Sequence, residues 1–172
     1  MLTIRESVFE TNSSSVHALI ISENEPAFTG KRTLRVSVGE YGWGPDVLDT
    51  PEERANYFYT AMCCQNYYRD NDPFNRLGEL LAPYGVTLVR GVEPVFRKYD
   101  NGRYYLDNGY IDHAEDTEAL VQLMCDNPNL LYRFIFSEAS CVVVTNDNYD
   151  KCDEHIKSHR PSSPHIYMEK GN

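Results

Sequence analysis

No stretch of the chain approaches the ~20 consecutive apolar residues that a membrane-spanning helix needs, so no such helix is expected. Also missing is the apolar block of a signal peptide. Met1 to Glu10 mixes charged and apolar residues, which predicts a protein that stays in the cytosol. There is no Gly-rich phosphate loop, no G-x-S-x-G elbow and no H-E-x-x-H pair, so three common signatures of catalysis are absent. Bases are scarce: 16 Lys+Arg stand against 26 Asp+Glu, a net charge of −10 over 172 residues. Affinity for nucleic-acid phosphates comes mainly from Lys and Arg displacing counterions, so direct nucleic-acid binding is not expected. The five cysteines are an odd number and include the adjacent pair Cys63-Cys64. In an unsecreted chain they read as buried thiols or metal ligands rather than a disulfide framework.

What is present is ordinary for a folded protein: 41% hydrophobic and 24% charged residues. The length fits one domain, residues 1–172, with a real core. The charge is uneven. Residues 101–150 contain nine acids and only two bases, Arg103 and Arg133, so this segment alone carries −7. Such a field steers a protein toward a basic surface, or simply keeps a solvated face soluble.

Leu2 and Ile4 alternate with polar neighbours and Val16 to Ile21 is an apolar, β-branched run, predicting two short strands around the Ser-rich loop Thr11–Ser15. Leu34, Val36 and Val38 predict a third strand. Thr50-Pro51-Glu52-Glu53 predicts a helix start with a capping box and Pro in the first turn, continuing to about Tyr67. A short helix over Asn75–Leu81 and a strand over Val86–Arg90 follow. Val95–Tyr99 and Arg103–Leu106 flank an Asn-Gly turn and predict a hairpin. Helices are expected over Glu115–Cys125 and Leu130–Phe136, a buried strand over Cys141–Thr145, and a last strand around Ile166 and Met168. The class is α+β, mainly antiparallel sheet with three or four helices.

Three groups of residues are candidates for chemistry. The loop Glu10 to His17 crowds four hydroxyls, an amide and an imidazole together; it can bind an anion, or its polar groups can serve only local bonds within a hairpin. His17, Glu40, His113 and Asp147 can converge on a divalent metal, zinc or manganese, if the fold assembles them. Cys152, His155 and His159, spaced i, i+3, i+7, form an alternative zinc set of structural character; otherwise they are exposed polar residues on a loop. The chain also has thirteen tyrosines. Tyr99, Tyr104, Tyr105 and Tyr110 cluster around the predicted hairpin, either as an interface or as a structural ladder.

Five segments carry a resemblance: RESVFETNSSSVHALII (Arg5 to Ile21), GEYGW (Gly39 to Trp43), GYIDH (Gly109 to His113), VVTNDN (Val143 to Asn148) and EKGN (Glu169 to Asn172). Together they resemble a family of small proteins encoded by bacteriophages, prophages and other mobile elements, with TNSSS-x-H as the most specific signature. The fourth segment departs from the pattern at Asn146, where a Gly is expected. His17, Glu40, His113 and Asp147 fall inside the recurring segments, so a family-wide site would use them, whereas Cys152, His155 and His159 fall between the last two.

The resemblance implies a phage context, and in size and acidity the chain is similar to phage inhibitors of CRISPR effectors. The expected function is an anti-CRISPR-type inhibitor that docks on the basic surface of a host type II effector nuclease and blocks nucleic-acid loading or cleavage. Glu115, Asp116, Glu118 and Tyr104 are the expected partner-binding residues, with zinc as a stabilising cofactor. The alternative is a metal-dependent phosphodiesterase or nucleotide hydrolase acting against host defence, built on His17, His113 and Asp147.

Overall fold

The computed structural model describes residues 3–5, 15–24, 26, 30–42, 44, 46–65, 72–112, 117–146, 154, 157–159 and 165–170. Internal contacts divide the chain into two compact units. The first comprises Met1–Ala27, Gly42–Arg54 and Asn129–Asn172; the second comprises Phe28–Tyr41 and Ala55–Pro128. The class is α+β, with four α-helices among the described residues.

The first unit is built on a five-stranded sheet. In chain order its strands are β1 (Thr3–Arg5), β2 (Ser15–Ser22), β5 (Asp46–Leu48), β10 (Cys141–Asn146) and β11 (His165–Lys170), and in space they run β1-β11-β2-β10-β5. Pairing is antiparallel throughout except β1 with β11. The two strands expected on either side of the Ser-rich loop are present as β1 and β2, and β11 lies between them in the sheet. Seven of the eight residues of β2 are buried. Continuous burial of this kind marks a strand covered on both faces, which explains why Val16 to Ile21 is apolar without alternation.

Helix α4 (Pro128–Phe136) contributes the fully buried Leu131, Phe134 and Ile135 to this unit. Its C-terminal end is tied to β2 through Ser140, whose Oγ accepts from the Ser22 amide at 3.0 Å and donates to the Arg133 carbonyl at 3.1 Å.

Helix α1 (Pro51–Cys64) begins in the first unit and continues into the second. Its start follows the sequence rule. The Glu53 amide donates to Thr50 Oγ1 at 3.2 Å while Glu53 Oε2 accepts from the Thr50 amide at 3.0 Å, a capping box. In the second unit α1 places Tyr57, Phe58, Ala61 and Met62 in full burial. Around it are the parallel pair β3 (Arg32–Val36) with β6 (Val86–Arg90), the parallel pair β4 (Glu40–Tyr41) with β9 (Tyr110–Ile111), and the hairpin β7 (Phe96–Lys98) with β8 (Tyr104–Leu106). Helices α2 (Pro73–Leu81) and α3 (Glu118–Asp126) complete it. The hairpin turn is a variant of the one expected. Asn101 keeps a negative φ and Gly102 alone takes the left-handed conformation, at φ 86°, so the loop is three residues with Gly last.

Candidate functional site

Residues 15–17 of β2, 144–146 of β10 and 169–170 of β11 lie at one end of the first unit's sheet. Antiparallel neighbours start and stop together, so β2 begins where β10 and β11 finish, and β5 begins there too. The register makes the arrangement explicit. Lys170 of β11 stands opposite His17 of β2, His17 opposite Val144 of β10, and Val144 opposite Asp46 of β5. Directly paired residues share a face, so positions 170, 17, 144 and 46 occupy one row. The next row outward on that face pairs Ser15 with Asn146. On the other face, Thr145 pairs with Val16, and Arg5 of β1 pairs with Glu169 of β11.

This polar end is buried where β2 and β10 form it. His17 and Thr145 are fully buried and Ser15 is 4% exposed. Among the described residues, the hydroxyl oxygens of Ser15 and Thr145 have no hydrogen-bond partner. Buried hydroxyls are nearly always satisfied, so this pair departs from the usual pattern.

In the second unit, residues 39–41 meet residues 110–112. The Tyr110 amide donates to the Gly39 carbonyl at 3.0 Å and the Asp112 amide to the Tyr41 carbonyl at 2.8 Å. Gly109 is required here: a Cβ at that position would lie 2.9 Å from the Gly39 oxygen, closer than a carbon can approach. The pairing brings the exposed Glu40 and the half-buried Asp112 around Tyr110. The Tyr110 phenol is pushed up by desolvation and then by the charges of Glu40 and Asp112.

The β7–β8 hairpin carries the other surface of interest. Tyr99 and Tyr105 stack with centroids 4.4 Å apart. Arg97 pairs with Tyr105 across the strands, and its Nε meets Asp107 Oδ2 at 2.8 Å. Tyr104, named from sequence as partner-binding, is half-buried on the opposite face, in the row with Lys98, whose Nζ lies 5.5 Å from its ring. Val89, Val92, Val95 and Tyr99, the exposed large hydrophobics of the described residues, all fall between positions 89 and 99.

Of the nine acids of residues 101–150, Asp107, Asp112, Glu118, Asp126 and Glu138 are among the described residues. Asp107 is engaged by Arg97, and Glu138 belongs to the first unit. Glu118 and Asp126 open and close α3, about 12 Å apart along its axis. Glu118 is exposed in the first turn, while Glu115 and Asp116 lie outside the described residues.

Of the first metal set, His17 is buried in the first unit and Glu40 is exposed in the second; His113 and Asp147 lie outside the described residues. Of the second set, Cys152 and His155 also lie outside them, and His159 is half-buried with Nδ1 3.1 Å from Ser158 Oγ. Among the described residues no group of three or more His, Cys, Asp or Glu is placed to hold a metal ion, and no helix is long and apolar enough to cross a membrane. Comparison with protein-family models, curated proteins and solved structures finds no match.

Proposed function

We propose that the chain is a binding protein of the phage-inhibitor kind, docking on a basic nucleic-acid-binding surface of a host type II CRISPR effector nuclease. The observation that carries this reading is the grouping of Glu40 and Asp112 around Tyr110 on paired strands. Clustered carboxylates beside an aromatic ring complement a cationic cleft lined for phosphates and bases, and charge of this sign accelerates encounter with it. The exposed strip from Val89 to Tyr99 supplies apolar area that an acidic patch alone lacks, and aromatic anchors of this type dominate binding energy at interfaces. Zinc, if bound, would serve the fold rather than the interface.

The test is titration of the purified effector with this protein at two salt concentrations, alongside the triple variant Glu40→Lys, Asp112→Lys, Glu118→Lys. Binding that weakens with salt and weakens about tenfold or more in the variant supports the proposal. A complex indifferent to both, or no complex, overturns it.

A further inference from the structure

We infer that the chain pairs with a second copy of itself, the exposed face of the parallel strands β3 and β6 on one copy meeting the outward stripe of α3 on the other. The inference goes beyond the docking proposal and does not depend on it.

One face of the β3–β6 pair lies open. Side chains alternate along each strand, so the register puts Leu34 with Leu88 on one side. Thr33 with Thr87 and Arg35 with Val89 fall on the other. The first side is packed. Leu34 and Val36 are buried, α2 lies against β6, and a Cβ on Gly78 of α2 would stand 3.9 Å from Leu88 Cδ1. On the second side Thr33, Arg35, Thr87 and Val89 are all exposed. Parallel strands occur almost only in sheets covered on both faces, so this open side is a place for a partner.

The charge on that side selects the partner. Lys31, one residue before β3, is exposed like Arg35, and among the described residues no ion pair engages either. Residues 30–39 and 80–92 contain four bases (Lys31, Arg32, Arg35 and Arg90) and no acid, in a chain where acids outnumber bases 26 to 16. Helix α3 presents the complement. Its exposed stripe is Glu118, Gln122 and Asp126, spaced i, i+4, i+8, with Gln122 Nε2 donating to Asp126 Oδ2 at 2.9 Å. Those carboxylate positions are about 12 Å apart along the helix axis, and positions 31 and 35 about 13 Å apart along the strand. Cation, hydroxyl and cation at 31, 33 and 35 therefore match carboxylate, amide and carboxylate at 118, 122 and 126.

Both surfaces belong to the second unit, so a two-fold pair uses the contact twice. The net repulsion of two acidic bodies is screened beyond about 8 Å at physiological salt, which leaves the local match to decide at contact. A nucleic acid suits the face less well. Thr33, Arg35, Thr87 and Val89 include no aromatic ring on which a base could stack.

The experiment is sedimentation of the full chain over a range of concentrations at physiological ionic strength. One variant reverses the strand face, Lys31→Glu with Arg35→Glu; the other reverses the helix stripe, Glu118→Lys with Asp126→Lys. A monomer–dimer equilibrium is expected for the native chain, with dissociation about tenfold or more easier in each variant alone. Mixing the two variants should restore the dimer, because each reversed surface then faces its complement. Arg35→Gln, a neutral change on an exposed side chain, should weaken the dimer by a smaller factor. A native chain that stays monomeric at every concentration overturns the inference. So does a dimer that neither reversal weakens, or a mixture of the two variants, both folded by circular dichroism, that fails to pair.

Discussion

The guanidinium of Arg54 closes on the carbonyl oxygen of Ile135, donating from Nε at 3.0 Å and from Nη2 at 2.7 Å. Its Nη1 donates to the carbonyls of Asp49 and Ser140, so one side chain satisfies three acceptors around the end of α4. The last carbonyls of a helix have no partner within it and carry the negative end of its dipole, so a buried cation is well placed there. Arg54 is 1% exposed, and desolvation pulls its pKa down to about 10 despite the opposing charges of Cys141, Asp49 and Glu53.

Replacing Arg54 by Met should therefore cost about 3 kcal/mol or more, because apolar volume is kept while buried acceptors lose their donors. Urea unfolding followed by circular dichroism measures it. A loss under about 1 kcal/mol would mean that water substitutes for the guanidinium.

Asp72 caps α2 from an unusual backbone position. Its φ is 42°, the single positive value among described non-glycine residues, while its carboxylate accepts from the amides of Phe74 and Asn75. Ala at this position loses the cap and keeps the strain; Gly loses the cap and relieves the strain. Asp72→Ala is expected to cost about 1–2 kcal/mol and Asp72→Gly less. Equal losses would show that the backbone conformation carries no strain.

Alkaline pH should unfold the protein. Burial raises the phenols of Tyr57 and Tyr59 and the thiol of Cys63, and pushes Cys141 up to about 11. For each of these the unfolded chain gives up its proton first. Stability is full below the ordinary thiol and phenol values and falls as pH rises through them toward the folded-state values. Arg54 works in the opposite direction above about 10, one group against four. Denaturation midpoints measured from pH 8 to 11 should decline, and Tyr57→Phe should flatten the decline. A midpoint that holds steady across this range would refute the burial of these groups.

The pairing of β4 with β9 can be read spectroscopically. Glu40→Gln removes one of the two charges that hold the Tyr110 phenol up, so its titration should move down toward the ordinary value. Gly109→Ala should destabilise the protein by about 1–3 kcal/mol, since the new methyl meets the Gly39 oxygen, Leu106 and Val38. Ultraviolet titration of tyrosinate, with Tyr110→Phe to assign the band, checks the first. A phenol unmoved by Glu40→Gln would place that carboxylate elsewhere.

Local chemistry made most elements readable. The Thr50–Glu53 capping box, the Val86–Arg90 strand and the Gly-terminated hairpin each depend on interactions within a few residues, and each stands where periodicity and turn residues place it. The two strands that escaped notice, Glu40–Tyr41 and Asp46–Leu48, are two and three residues long. Runs that short have no period to detect, and they exist only because a distant strand pairs with them. The same limit left the stacking of Tyr99 on Tyr105 unread, since facing in a hairpin depends on register, which a one-residue shift in the turn reverses.

Amino-acid order alone was enough to establish the class, the Thr50–Glu53 cap, the buried character of β10 and the surplus of carboxylates, because propensity, burial and charge are properties of short stretches. Only folding decided that the chain's final strand enters beside β2, bringing Lys170 opposite His17, and that Glu40 and Asp112 meet at Tyr110. Those neighbours are separated by scores of residues. The free energy that unites them comes from burying the sheet and helices together, which no local segment encodes.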